Sequence, residues 1–207
     1  MIQKTSCTAA LLFFALAQTV WGQIESEPLK ITSTELSKEY RGGACNFDEF
    51  TKAVLDVQKR RKERLVTAEE FAKLAATPGT IVLDARSALS FELLRVRGSI
   101  NLPYTDFGIK TLEKLIPNES TKILIYCRNN IVNETFTRVE STMFSNRIVP
   151  KERAVGLNIP VAVSLFIYGY KNVWELDEIV DPDNCPIMFD WTPKFRKGAE
   201  SIGVKIK

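Results

Sequence analysis

The chain has 207 residues, 45% of them apolar and 26% charged, with a formal net charge of +3. That is the composition of a globular domain with extensions, too weakly basic to argue for nucleic acid as a partner. It contains no histidine, which excludes Ser-His-Asp triads, Cys-His proteases, histidine phosphotransfer and most catalytic zinc sites. Any nucleophile here must be activated without an imidazole.

Residues 1–22, MIQKTSCTAALLFFALAQTVWG, read as an export signal. Lys4 gives a positive start, Ala9 to Ala17 is an apolar stretch too short to span a bilayer, and Val20 and Gly22 suit cleavage before Gln23. The expectation is a periplasmic or secreted protein with no membrane attachment after cleavage; an uncleaved anchor is the alternative. Residues 23–63 form an N-terminal extension. Its first part is polar, with Pro28 and Gly42-Gly43, and from Asn46 it turns helical: Phe47, Phe50, Val54 and Val57 recur at helical spacing, with Asn46 or Asp48 as the cap. The helix ends in KRRKER, residues 59–64, which reads as a solvated face.

The main domain is expected over residues 64–180. Thr67 and Glu70 have the spacing of a capping box before an amphipathic helix with Phe71 and Leu74 inward, ended by Pro78-Gly79. TIVLDAR, from Thr80, reads as a short strand, SALSFELLRV as a helix, and RGSINLP as the return. Asp106 is placed as the cap of a helix running through Leu115. KILIYC is a second buried strand, and GYKNVWEL a third, preceded by the apolar stretch GLNIPVAVSLFIYGY. Residues 181–207 read as a C-terminal tail. Strands alternating with helices predict an α/β domain with a largely parallel sheet. Ligands of such sheets sit beyond the carboxyl ends of the strands, where Cys127 is placed. There is no phosphate-binding glycine motif and no Cys or His spacing suited to a metal, so neither a cofactor nor a metal is expected. Asp177, Glu178, Asp181 and Asp183 read as a solvated acidic turn, since calcium-loop spacing is missing.

With Cys7 in the signal, the mature chain keeps Cys45, Cys127 and Cys185. An odd number in an oxidising compartment leaves a thiol free. The economical assignment pairs Cys45 with Cys185, the alternative being Cys127 in a bridge. At the end of its strand, Cys127 is followed by a tight loop whose N–H groups can face the sulfur, and by the charge of Arg128; both favour thiolate over thiol. The same cradle would stabilise a persulfide or an oxyanion. A buried core cysteine fits the same local residues, so these alone leave both readings open.

The wider sequence carries a resemblance. IVLDARSALSFELLRVRGSINLP resembles the first signature of the rhodanese-like domain, a strand ending in Asp-x-Arg, then a Glu, then Gly-x-x-Asn-x-Pro: here Asp84, Arg86, Glu92, Gly98, Asn101 and Pro103. ILIYCR is similar to the family's active-site strand, and GYKNVWEL to its closing motif. The loop with asparagines after the cysteine resembles a secreted bacterial branch. The resemblance implies a doubly wound α/β domain around a five-stranded parallel sheet, here with an N-terminal helical extension. It implies Cys127 as the nucleophile that bears a persulfide, and Arg128, Asn129, Asn130, Ile131 and Val132 as a substrate-binding backbone cradle. Asp84 and Arg86 would be mainly structural, with Arg86 paired to Glu92. The partners implied are a small sulfur-containing anion such as thiosulfate and a thiol or cyanide acceptor, with no metal or organic cofactor.

The loop departs from the family's commonest form, Cys-x-x-Gly-x-Arg. Asn130 stands at the glycine and Val132 at the arginine. Asparagine tolerates a left-handed turn, so Asn129-Asn130 are expected to keep the curl. The lost arginine removes a charge that would hold an anionic donor, with Arg128 as the nearest substitute. Between Cys127 and Gly169 lie 41 residues, and 134–154 reads as an insertion: a lid, a surface for a protein partner, or a tolerated excursion. As a lid, it would return charge through Arg138, Arg147, Lys151 or Arg153. Two functions stay open, an exported sulfurtransferase and a non-catalytic module recognising an anion or a protein. Phosphatase-like chemistry is disfavoured by the missing arginine.

Overall fold

The computed structural model describes residues 45–143 and 153–204. The signal segment, most of the polar lead-in, Arg147 and Lys151 lie outside these. The chain divides into two units between Asn46 and Phe47. Only Cys45 and Asn46 of the first are described; the second carries the fold.

Helix α1 (Phe47–Arg61) has Asp48 and Glu49 in its first turn and Lys59, Arg60 and Arg61 in its last, a distribution that complements the helix dipole. Its buried residues are Ala53 and Val57, whereas Phe47 and Phe50, expected inward, are 80% and 43% exposed. The stripe rotates because the helix packs on a second apolar helix from its later turns onward. After β1 (Leu65–Val66) comes α2 (Ala68–Ala75), which has the expected capping box: Glu70 N donates to Thr67 Oγ1 at 3.2 Å, and Thr67 N donates to Glu70 Oε2 at 3.2 Å.

Strand β2 (Ile81–Asp84) is followed by α3 (Ala88–Leu93), shorter than expected. Residues Leu94–Val96 leave the helix as β3, because the segment expected to be a tail supplies their partner: β7 (Phe189–Trp191) pairs antiparallel with β3. After β4 (Ile100–Asn101), Asp106 lies in the 3₁₀ turn Tyr104–Asp106, and α4 (Ile109–Leu115) begins after Gly108; the expected Asp106 cap is not formed. The chain then runs through β5 (Ile123–Tyr126), the 3₁₀ turn Arg128–Asn130, α5 (Glu134–Met143), a 3₁₀ turn at Arg153–Val155, α6 (Asn158–Ile167), β6 (Val173–Leu176), β7 and α7 (Pro193–Ser201).

The main sheet is five-stranded and parallel, in the order β1-β6-β5-β2-β4. Successive strand residues point to opposite faces, and β5 displays this: Ile123 and Ile125 enter one core with α1, α4 and α6, while Leu124 and Tyr126 enter the other with α2, α3, α5 and α7. All four β5 residues are buried, as a central strand between two helical layers requires. Among the described residues no helix is long and apolar enough to cross a membrane.

Candidate active site

The carboxyl ends of β2 and β5 lie side by side, with Asp84 opposite Tyr126. Both point to the same face. The Asp84 carboxylate accepts from Arg86 Nε at 2.9 Å and Nη2 at 2.6 Å, and also from the Tyr126 hydroxyl. Arg86 further donates to the Leu94 carbonyl at 2.6 Å, and its guanidinium lies 5.2 Å from the Tyr126 ring centre. Burial opposes the charge on Arg86, but Asp84 outweighs it and holds the guanidinium pKa above its ordinary value. Burial likewise pushes the Tyr126 hydroxyl up. The expected Arg86–Glu92 pair does not form. Helix α3 turns Glu92 outward, where it meets Lys194, and Arg86 folds back on the carboxylate two residues before it. Asn101 ties off the end of β2, its Nδ2 donating to the carbonyls of Asp84 at 2.8 Å and Arg86 at 3.0 Å. Gly98 has φ +77°, a left-handed conformation that explains the motif glycine.

At the end of β5, Cys127 is buried and lines a cavity of about 550 Å³. The loop is right-handed 3₁₀ rather than the left-handed curl expected of Asn129-Asn130. Asn130 acts through its side chain. Its Oδ1 accepts from Cys127 N at 2.9 Å and from Asn158 Nδ2 at 3.1 Å, while its Nδ2 donates to the carbonyls of Leu176 at 2.9 Å and Glu178 at 3.0 Å. One buried amide thus ties the cysteine to the end of β6 and the start of α6, with every hydrogen-bonding valence in use. The Asn130 N–H reaches the Cys127 carbonyl at 3.1 Å and also closes a capping box with the Cys127 side chain.

Of the five residues expected to bind substrate, Asn129 and Asn130 line the cavity with Cys127, and three do not. Ile131 is a core residue whose N–H donates to Arg128, and Val132 is exposed with its N–H donating to Val180. Arg128 is turned away. Its Nε donates to the fully buried Glu140 at 2.6 Å, its Nη2 to Thr137 Oγ1 at 2.9 Å and its Nη1 to the Ile131 carbonyl, and the guanidinium sits 4.9 Å from the Phe136 ring centre. The reason is α5, which supplies Phe136, Thr137 and Glu140. This helix covers the back of the loop and packs on α7: a Cβ at Gly198 would meet Val139 Cγ1 at 2.9 Å. The described start of the insertion is therefore a packed helix. Its Arg138 is exposed and does not line the cavity, whereas Arg153 does.

Further walls come from Gly156 and the first residues of α6, Asn158 and Ile159, from Glu175, Leu176, Asp177 and Ile179 at and after the end of β6, and from Arg61 at the end of α1. Arg61 belongs to the run read as a solvated face. Its Nε and Nη2 donate to Glu175 at 2.6 and 2.7 Å. Arg60 lies over Phe166, and Arg64 lies over Trp174 and donates to Asn172 at 2.9 Å. The signal was present: Arg61 follows Val57 by four residues, on the same helical stripe.

The expected Cys45–Cys185 bridge is absent; both are free thiols. Cys185 is tucked into its own turn, with Sγ 3.5 Å from the Ile187 carbonyl, and burial pushes its thiol pKa up. The acidic turn is partly structural, Asn133 Nδ2 donating to Asp181 at 2.9 Å and Asp183 at 3.0 Å and holding the Asp181 carboxyl below its usual range.

Comparison with solved structures finds similarity to the rhodanese-like domain of the Alr3790 protein from Anabaena sp., 16% identical over 55% of this chain and 67% of that one, with a TM-score of 0.35. The single-domain sulfurtransferase RDL2 of Saccharomyces cerevisiae is 12% identical over 56% of this chain and 85% of that one, at 0.36. A thiosulfate sulfurtransferase from Pseudomonas aeruginosa is 16% identical over 76% of this chain and 22% of that one, at 0.32. No curated protein matches the sequence. The family model of the rhodanese-like domain matches residues 67–178. That span is more than half of the chain and holds the strand ends, the cysteine and the closing motif just described, so the protein belongs to the rhodanese-like domain family.

Proposed function

We propose that this protein is a sulfurtransferase in which Cys127 carries sulfane sulfur as a persulfide. The observation that supports this reading is the position of Cys127: buried at the carboxyl end of the central strand, tied in place by Asn130, and opening on a cavity of about 550 Å³. In the forward half-reaction the Cys127 thiolate attacks the outer sulfur of thiosulfate. A sulfur–sulfur bond forms, the bond to the sulfonate sulfur breaks, and sulfite leaves with the electron pair. In the second half-reaction an acceptor thiolate attacks the outer sulfur of the persulfide and Cys127 departs as thiolate. Neither step needs a metal, an organic cofactor or an imidazole. Treatment with thiosulfate followed by intact mass measurement is expected to add one sulfur to the wild type and none to Cys127→Ser; sulfur retained by that variant overturns the assignment.

A second reading, a binding module without turnover, is favoured by one feature of the loop. Arg128 is committed to Glu140, and the amides of Ile131 and Val132 to carbonyls. An inert, reduced Cys127 after thiosulfate treatment selects it. The export inferred from residues 1–22 belongs to the same proposal. N-terminal sequencing of the protein from fractionated cells is expected to begin at Gln23; a chain beginning at Met1 removes it.

A further inference from the structure

We propose that Arg61, held by Glu175, is the anion-selecting residue of the Cys127 cavity. The charge that the family's commonest loop carries at its sixth position would thus come here from a helix outside the rhodanese-like segment. The identity of the anion as a small sulfur oxyanion rests on the sulfurtransferase reading; the selection of anions does not.

Arg61 closes α1, whereas the family match begins at residue 67. Glu175 sits on β6 with its side chain 8% exposed, and Arg61 is 34% exposed, so the guanidinium reaches from a buried carboxylate to the cavity that Cys127 also lines. The contact is bidentate, which fixes the plane of the fork and neutralises Glu175 with the Nε and Nη2 edge. Nη1 is bonded to none of the described residues. The hydrogen bond that Arg61 donates to Glu175 raises the guanidinium pKa above its ordinary value, so the charge persists at any working pH. The competing cation is Arg128, adjacent in sequence, but Glu140, Thr137 and the Ile131 carbonyl take its three nitrogens. Arg153 lines the cavity as well, but it is exposed.

The test uses the full chain in a Cys45→Ser, Cys185→Ser background, so that Cys127 is the thiol read by mass. Its alkylation rate is measured with iodoacetate, an anion, and iodoacetamide, its neutral counterpart of similar size. The ratio of the two rates cancels changes in intrinsic thiol reactivity. Arg61→Gln is expected to lower the ratio on the order of fivefold to tenfold, the size of one unit charge at a part-exposed site. Glu175→Gln, which unmasks the guanidinium, is expected to raise it, and Arg61→Lys to restore part of it. The double variant Arg61→Gln, Glu175→Gln removes the buried unpaired carboxylate, so it folds even where Arg61→Gln does not, and its ratio is expected below that of the wild type. A merely structural pair moves both single variants in the same direction. That result, or an unchanged ratio, overturns the proposal. With thiosulfate as donor, Arg61→Gln is expected to raise the concentration for half-maximal loading with the extent of loading unchanged. If thiosulfate never loads the wild type while the alkylation ratio responds as stated, the anion site stands and the sulfurtransferase reading falls.

Discussion

The neighbouring ends of β2 and β5 are built with the same device and put to different use. Each is closed by an asparagine whose Nδ2 bridges two carbonyls: Asn101 ties Asp84 and Arg86, and Asn130 ties Leu176 and Glu178. Each carries an arginine one position after a small residue. At β2 the arginine and its carboxylate are sealed, 3% and 0% exposed, and the tyrosine opposite joins them. At β5 the small residue is Cys127 and faces a cavity, while its arginine is drawn off by Glu140. One end spends its charge on rigidity. The other sets a buried cysteine in a cavity wall, and among the described residues the cations lining that cavity, Arg61 and Arg153, come from elsewhere in the chain. Family motifs that look equivalent in a line of sequence thus separate into a sealed strut and the wall of a cavity.

The comparison can be broken at three places. The largest effect is expected from Arg86→Ala, which strands the fully buried Asp84 carboxylate. Chemical denaturation should report a loss of about 3 to 5 kcal/mol, the usual cost of removing one partner of a buried ion pair. A loss below about 1 kcal/mol would show that the corner is not a strut. Asn130→Ala comes next. It leaves up to four partners without their amide, and the expected cost is about 1 to 3 kcal/mol. Unlike Arg86→Ala, it should also slow alkylation and sulfur loading of Cys127 in protein that remains folded; stability loss with normal reactivity would mean that the amide does not position the sulfur. Asn130→Gly, which restores the glycine of the commonest loop, separates backbone curl from side-chain bonding, because it should fail to recover reactivity.

The smallest effect is a pH dependence. Burial raises the Tyr126 pKa, so the folded state keeps the phenol protonated when the unfolded chain ionises. Its contribution is whole below the unfolded pKa of about 10 and is lost as pH rises beyond it, by about 1.4 kcal/mol per pH unit for one group. Wild type and Tyr126→Phe, titrated in denaturant at pH 9 to 11, should therefore converge as pH increases. Parallel curves would mean that the hydroxyl is solvated.

Much of the architecture was legible in one dimension. The β-branched runs, the capping box at Thr67 and the alternation of strands and helices all depend on neighbours within a few residues, and each stands where periodicity put it. The errors share a cause. Phe47 and Phe50 have helical spacing, yet the face that becomes buried depends on where α6 lies. Leu94–Val96 continues a helical pattern, but residues nearly a hundred positions later offer it a strand. The family resemblance implies Arg86 on Glu92 and Arg128 at the substrate, but the partners these arginines take, Asp84 and Glu140, are set by how α3 and α5 pack in this chain.

By itself, then, the sequence determined the family, the place of Cys127 at a strand end, and the absence of histidine chemistry, since these follow from local pattern and composition. Tertiary structure decided which charges line the cavity. A guanidinium goes to the buried carboxylate within its reach, because an unpaired buried charge costs more than any local preference recovers. Glu140 and Glu175, both invisible as site residues in the sequence, thereby removed Arg128 from the cavity and brought Arg61 into it.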